Sequence, residues 1–377
     1  MALVSSLFCL VSCSDHCASP GSPTAGKTWT RIFAWGCHDH ATSVTATADG
    51  GCIVAGYTDS PGGPEGDYDV FVLRLNAVGD SVWARTFGGY PYDYGWSICP
   101  TSDSGYVIAG STFPWSDIYL MKIDANGDSL WTTRYENSSA YSVVATNDGG
   151  LVITGDSGSI QQRTGVLLLM KMDAFGNSVW EKTFAAAARG NSVVVAPDGG
   201  YVVAGYTSRS GFCPYIAKTT ASGDSIWART FGLSLQGAIQ VSMCAAADSG
   251  FVVTGCQAGD VFLLKVDSQG DSLWTRRFAR GGGKCVLPTP DRGFLVGGYT
   301  KPDAVGAGDA YIVKTDASGS EVWSRVFKNN SAGTDQEILS TALSIDGGYF
   351  LAGQAGFDRP PEYWDILVIK TDANGQF

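Results

Sequence analysis

Asp124-Ala-Asn-Gly-Asp-Ser-Leu-Trp-Thr-Thr-Arg-Tyr135 decides the fold, because it is one of seven versions of the same segment. Its indole belongs to the series Trp29, Trp83, Trp131, Trp180, Trp227, Trp274 and Trp323, and each member opens a W-x-[RKT]-x-[FY] pattern. Neighbours in the series stand roughly 50 residues apart, the length of one blade of a β-propeller. A second landmark keeps step with the first. An Asp-x-Gly turn begins at Asp49, Asp103, Asp148, Asp198, Asp248, Asp291 and Asp346.

Four strands can be read between these marks. Tyr141-Ser-Val-Val-Ala-Thr146 precedes an Asp-x-Gly turn, and Tyr201-Val-Val-Ala-Gly-Tyr-Thr207 follows one, as in a hairpin. A third strand, such as Asp117-Ile-Tyr-Leu-Met-Lys-Ile-Asp124, leads through Asp124-Ala-Asn-Gly127 into the tryptophan strand. The third strand is apolar on both faces, as in Val70-Phe-Val-Leu73 and Val261-Phe-Leu-Leu264, which predicts burial between two neighbouring sheets. Seven residues after each turn aspartate stands a glycine: Gly56, Gly110, Gly155, Gly205, Gly255, Gly298 and Gly353. Glycine weakens a strand, so its return predicts close approach of another backbone or ring.

The chain ends agree with this count. Lys27-Thr-Trp-Thr-Arg-Ile-Phe33 is a lone fourth strand, and Thr371-Asp-Ala-Asn-Gly-Gln-Phe377 stops where a fourth strand is due. The first segment therefore completes the last blade and removes an exposed sheet edge. The expected fold is all-β: a seven-bladed β-propeller of four antiparallel strands per blade over residues 27–377, as a single domain. The tryptophans are expected to be structural wedges between blades.

Composition fits many short strands joined by tight turns, with 49 glycines, 12% aromatic and only 16% charged residues. A net charge of −11, with no basic stripe, argues against nucleic acid and against general binding to anionic membranes. No apolar run is long enough to span a bilayer. A monomer is expected. Cys99 and Cys244 fall at equivalent positions of non-adjacent repeats and Cys285 stands where the other repeats have Ser, so buried free thiols are favoured over disulfides.

Residues 1–26 read as an exported leader and linker. Leu10-Val11-Ser12-Cys13 resembles the lipobox of bacterial lipoproteins, a family in which the cysteine is lipidated. That resemblance implies an extracytoplasmic location, with Cys13 the lipidation site and the lipid the sole tie to a membrane. The basic opening of an export signal is missing, and a weakly apolar, unprocessed leader is the alternative.

The L-x-K-[IVMT]-D-x-x-G-[DN]-S-x-W run from Leu120 to Trp131 resembles the tryptophan-docking repeat of quinoprotein-like propellers. The F-G-G and D-G-G-Y elements are similar to repeat proteins secreted by bacteria. Quinoprotein dehydrogenases imply pyrroloquinoline quinone, calcium and adjacent cysteines. This chain has no Cys-Cys pair, and seven blades depart from their usual eight, so cofactor-free scaffold relatives are the closer analogy and no cofactor is expected.

Residues that return in every repeat serve the architecture; residues that break the pattern are free to serve a ligand. The first test assigns a structural role to Arg31, Arg85, Lys182, Arg229, Arg276 and Arg325. It also takes in the strand-start carboxylates Asp69, Asp117, Asp260, Asp309 and Asp365 as their expected partners. Both regular turns fall at one end of the strands, so the irregular loops gather at the other, where binding is expected. Aromatic and polar residues there nominate Trp35, Tyr92, Tyr94, Trp96, Trp115, Tyr141, Asn191, Lys284 and Trp364 as ligand-binding. At the position seven before each turn aspartate, Thr42, Trp96, Tyr141, Asn191, Val241, Lys284 and Leu339 form an irregular ring expected at a channel mouth. The aromatic set suits sugar stacking or a peptide anchor, and serves equally as a cover for the channel. His38 and His40 are a weak metal pair on alternate residues.

No catalytic motif is present. The expected function is an exported, non-enzymatic binding or scaffold propeller that presents its irregular face to protein, peptide or glycan. The alternative is a carbohydrate-active enzyme, hydrolase or lyase, with a carboxylate pair at the channel mouth.

Overall fold

The computed structural model describes residues 28–35, 38–59, 67–89, 92–113, 117–158, 165–186, 188–208, 212–235, 240–301, 308–328, 335–357 and 363–377. Cys13, Tyr90 and Trp115 lie outside them. Among the described residues every regular element is a strand, and none is a helix able to cross a membrane.

The strands form consecutive antiparallel sheets, as in a propeller. β2 (Asp39–Ala46), β3 (Cys52–Asp59), β4 (Tyr68–Leu75) and β5 (Ser81–Phe87) make the first. β6 (Tyr92–Pro100), β7 (Tyr106–Phe113), β8 (Ile118–Ile123) and β9 (Ser129–Tyr135) make the second. The third holds β10 (Ser138–Ala145), β11 (Leu151–Ser157), β12 (Val166–Met172) and β13 (Ser178–Ala186). The fourth holds β14 (Ala188–Val195), β15 (Tyr201–Thr207), β16 (Cys213–Thr219) and β17 (Ser225–Thr230).

Where two further four-stranded sheets were expected, one sheet of seven strands appears. It comprises β18 (Ser242–Ala245), β19 (Phe251–Gln257), β20 (Asp260–Val266), β21 (Ser272–Pro288), β22 (Phe294–Thr300), β23 (Asp309–Thr315) and β24 (Glu321–Phe327). The cause is β21, which runs 17 residues without a break. Its first part pairs with β20 up to Arg280, and from Gly281 onward it pairs with β22. The change of partner falls at Gly281-Gly-Gly283, where Gly281 has φ +148° and no loop intervenes. Six hydrogen-bonded sheets result rather than seven.

The sixth sheet holds β25 (Gln336–Leu343), β26 (Tyr349–Phe357), β27 (Tyr363–Thr371) and β1 (Trp29–Phe33). β1 pairs with β27 through Thr30↔Ile369, so the two ends of the chain share one sheet.

The core lies between the sheets. The third strands are buried along nearly their whole length, as in β8, while fourth strands such as β5 alternate exposed and half-buried. Two sets of contacts join each repeat unit to the next. On the first strands, a serine hydroxyl accepts from a main-chain N–H of the following first strand. Ile98, Val143, Val193, Met243 and Val286 donate to Ser43, Ser97, Ser142, Ser192 and Ser242 at 3.2–3.3 Å. Val44 donates to Ser340 at 3.0 Å, which carries the series from the last sheet back to the first. Cys285 holds the remaining equivalent position, its buried thiol facing Gly297 and Thr341.

On the fourth strands, each tryptophan docks on the turn glycine of the following unit. Trp29, Trp83, Trp131, Trp180, Trp227, Trp274 and Trp323 lie over Gly79, Gly127, Gly176, Gly223, Gly270, Gly319 and Gly375. Gly270 shows why glycine is required: its φ is +82°, and an added Cβ would stand 2.7 Å from the Trp227 ring. Trp29 and Trp227 are buried and their Nε1 atoms donate to Ala77 O and Ser268 O. The other five are half-buried.

The expected charge pairing is corrected. Arg31, Arg85, Arg229, Arg276 and Arg325 do not seek the strand-start carboxylates; each guanidinium lies 5.2–5.9 Å from the neighbouring Trp ring. Where they or Lys182 form ion pairs, the partner is a turn acid, as in Lys182–Asp224 at 3.1 Å, and Asp260 pairs instead with Arg277. The buried cations at the ends of the third strands meet the Asp-x-Gly aspartates: Arg74–Asp49, Lys122–Asp103, Lys171–Asp148, Lys218–Asp198, Lys265–Asp248, Lys314–Asp291 and Lys370–Asp346, all at 2.5–3.0 Å. The recurring Gly56 set answers the other question. Six of its members sit against the carbonyl of a first-strand residue, such as His40 O at Gly56, with no room for a Cβ. The six described cysteines are unbridged.

Trp227→Ala removes a docked, buried ring and is expected to cost about 3–5 kcal/mol in urea unfolding; a loss below about 1 kcal/mol would contradict docking as a stabilising contact. The Lys122 ammonium and Thr101 hydroxyl hold Asp103 down to about 2, below its ordinary 3.8. A carboxylate depressed on folding stabilises above its unfolded value and loses that contribution as pH falls through its folded value. Melting temperature is thus expected to fall between about pH 4 and 2, less steeply in Asp103→Asn, and a variant with an identical profile would refute the clamp.

Candidate functional site

The site starts from a kink repeated in the first strands. Register slips by one residue between Ala41 and Ser43, Gly95 and Ser97, Ala140 and Ser142, Gly190 and Ser192, Gly283 and Cys285, and Ile338 and Ser340. The extra residues are Thr42, Trp96, Tyr141, Asn191, Lys284 and Leu339, six members of the irregular ring read from the sequence. A β-bulge leaves one residue out of the ladder and re-aims its side chain. The seventh member, Val241, precedes the short β18 and is buried.

Aromatic rings fill the irregular-loop end near three of these bulges. His40 stacks on Tyr57 (4.6 Å, 23°) and lies 6.2 Å from Trp364. Tyr57 meets Tyr94 and Trp96 edge-on at 4.9 and 5.5 Å, and those two stack on each other (5.5 Å, 14°). Trp96 then contacts Tyr141 at 6.1 Å, and Arg189 lies 4.8 Å over the Tyr141 ring with Asp156 at 3.4 Å. Tyr68 joins Tyr92 and Tyr94 at 6.0 and 5.6 Å. All these rings are half-buried and form one continuous rim. Burial raises the phenols of Tyr57 and Tyr141 above their ordinary 10, so they remain neutral donors.

The rim ends at a cavity of about 190 Å³ lined by Lys284, Tyr299, Lys301, Gly308, Asp335, Gln336, Glu337 and Trp364. A polar chain connects the two. His40 Nδ1 contacts Gln354 Oε1, Gln354 Nε2 donates to Glu337 at 2.8 Å, and Glu337 stands 3.4 Å from Lys284.

Of the nominated residues, Tyr92, Tyr94, Trp96, Tyr141 and Trp364 therefore share the rim, and Lys284 and Trp364 share the cavity. Asn191 is half-buried at the next bulge, and its Oδ1 is buried without a hydrogen-bond partner. Trp35 does not join them; it stacks on Phe33 at 5.6 Å and packs on Phe71 in the core between the first and last sheets. The two histidines have separate partners, His38 with Asp59 at 3.3 Å and His40 with Gln354. Among the described residues no three metal-ligating side chains gather.

Tyr57, Tyr68, Arg189, Tyr299, Glu337 and Gln354 were not nominated from sequence. A signal for three of them exists. The residue after each recurring glycine (Tyr57, Ser111, Asp156, Tyr206, Cys256, Tyr299, Gln354) varies as freely as the bulge residue, and Asp156 there also belongs to the rim.

No family model matches the chain. An alignment of 138 positions, which covers 31% of this chain, is 28% identical to the regulatory protein FlaEY of Caulobacter vibrioides, of which it spans only 14%. Among solved structures, the Pan2 WD40 domain of Neurospora crassa aligns with a TM-score of 0.57 at 12% identity, covering 89% of this chain and 91% of that one. Raptor of Chaetomium thermophilum gives 0.56 at 10% identity, over 89% of this chain and 28% of that one. A Dyadobacter fermentans protein described as of unknown function gives 0.51 at 11% identity, over 92% and 98%. These likenesses establish a β-propeller-like fold.

Burial pushes the His40 imidazole down to about 4 from 6.5, against the contact with Gln354. His40 is therefore neutral at pH 7, and its contribution to stability grows as pH rises between those values. An NMR titration of its ring is expected to centre near 4; a midpoint near 6.5 would contradict the buried placement.

Proposed function

We propose that the chain is an exported, non-enzymatic binding propeller whose irregular loop face captures a protein, peptide or glycan. In this reading the seven-stranded sheet counts as two blades sharing β21, so seven blades surround a channel and the rim stands at its mouth. The Trp–Gly docking repeated in all seven units supports kinship with cofactor-free, quinoprotein-like propellers. The leader supports secretion or lipid attachment at Cys13.

One observation carries the reading: the unbroken rim Trp364–His40–Tyr57–Trp96–Tyr141, half-buried and drawn from positions whose residue varies among the repeats. The architecture requires serine, glycine and tryptophan at fixed positions, and none of these rings is among them. Clustered aromatics with polar neighbours are what rigid binding faces use. The name of the Caulobacter relative, a regulatory protein, is compatible with binding without turnover.

Glycan and peptide arrays probed with the purified chain are expected to return bound ligands and no cleaved product. Trp96→Ala, a ring on the rim rather than a docking tryptophan, is expected to weaken that binding at least tenfold while the melting temperature shifts by a few degrees. Undiminished binding by this variant, or product release by the native chain, would overturn the reading.

A further inference from the structure

The chain contains its own standard for how a buried cation is satisfied. Lys314 donates to both Asp291 carboxylate oxygens and to Thr315 O at 2.7–2.9 Å, and Lys171 to Thr146, Asp148 and Met172 O at 2.9–3.2 Å. Lys284 breaks the pattern. Its side chain is only 7% exposed, yet among the described residues its ammonium makes no hydrogen bond. It has one carboxylate contact, Glu337 at 3.4 Å, and the face of Tyr299 at 5.7 Å. An ammonium held by one long carboxylate contact and a ring face keeps N–H groups able to donate to a further acceptor.

A second ammonium contacts the same ring: Lys301 Nζ lies 5.8 Å from the Tyr299 centroid, and that ammonium has no other polar contact among the described residues. Both line the cavity, in a chain of net charge −11. The acids of the cavity are placed differently. Asp335 accepts from Gly308 N, and Glu337 from Gln354, yet each carboxylate retains lone pairs able to accept from a hydroxyl. Trp364 supplies one apolar wall, flanked by His40.

We propose that this cavity takes one hexuronate unit of an acidic glycan, a conclusion that rests on the binding role assigned above and names its ligand. The sugar carboxylate accepts from Lys284 and Lys301. The ring hydroxyls donate to Asp335 and Glu337, and the apolar face of the sugar lies on Trp364. The volume, about 190 Å³, is that of roughly six liquid-water volumes and suits a single sugar ring. Neighbouring sugars extend along the aromatic rim. An acidic peptide side chain answers the two ammoniums but brings no hydroxyl to the two carboxylates, which repel it. A neutral sugar offers the two ammoniums hydroxyl acceptors but no opposite charge.

Isothermal titration with oligogalacturonate and oligoglucuronate, neutral oligosaccharides of equal length, and Asp/Glu-rich peptides tests the assignment. Uronate oligomers are expected to bind at least tenfold more tightly than neutral ones, and the preference is expected to weaken with added salt. Lys284→Met is expected to abolish that preference, and the exposed Lys301→Ala to reduce it severalfold with an unchanged melting temperature, which keeps the test valid if the first variant is destabilised. Three results overturn the proposal: no uronate binding, equal binding of neutral and acidic sugars, or tighter binding of acidic peptides. A neutral-sugar or peptide interaction that depends on Trp96 but not on Lys284 or Lys301 overturns this assignment alone and leaves the rim as the binding surface.

Discussion

Each sheet in this fold is apolar on both faces and is stable only when another sheet covers it. The constraint that governs the structure is therefore the joint between sheets, made twice: by a serine hydroxyl on the first strand and by an indole on the fourth. A neutral hydrogen bond of the first kind contributes about 1 kcal/mol, and a fully buried indole up to about 5 kcal/mol. Half-burial of five of the rings lowers their share, and the second joint still dominates. Both joints recur from sheet to sheet, and Ser340–Val44 and Trp29–Gly79 carry them across the two chain ends. β1 lies beside β27 because Trp29 has to reach the turn after β4 while its backbone covers an otherwise bare edge.

The bulges link this scaffold to the aromatic rim. The register slip that sets Ser97 or Ser142 against the next strand also leaves Trp96 or Tyr141 outside the ladder. The serine is constrained by the joint; the bulged residue is not. Recurrent geometry thus delivers a set of side chains whose identity is free, and the chain uses them for an indole, a phenol, an amide and an ammonium. Lys284 stands out among them: it is buried in an ion pair with Glu337, without the short hydrogen bonds that the buried lysines beside the Asp-x-Gly turns make.

Most of the architecture was legible in the sequence, because one repeat can be read against six others. The strand order, the glycines needed for close approach, the docking tryptophans and the pairing of the chain ends all follow from that comparison. The continuity of β21 did not, since the fourth strand of one repeat and the first strand of the next were expected as separate strands and the backbone passes straight from one to the other. The charge pairs were misread because each repeat has two basic positions and several acids, and only geometry shows which cation lies over an indole and which is buried beside Asp103 or its equivalents. At the site, the bulge position identified Trp96, Tyr141 and Lys284. The contact between His40 and Gln354, 314 residues apart, leaves no local trace.

Native-state hydrogen exchange at the six amides bonded to the first-strand serines tests the closed interlock most directly. If the joints form one circuit, Val44 N–H, bonded across the chain ends, exchanges with the same protection as Val143 N–H, bonded between sheets of continuous sequence. Protection of Val44 lower by orders of magnitude, with Val143 unaffected, would show an open array whose ends are not held together, and would contradict the account.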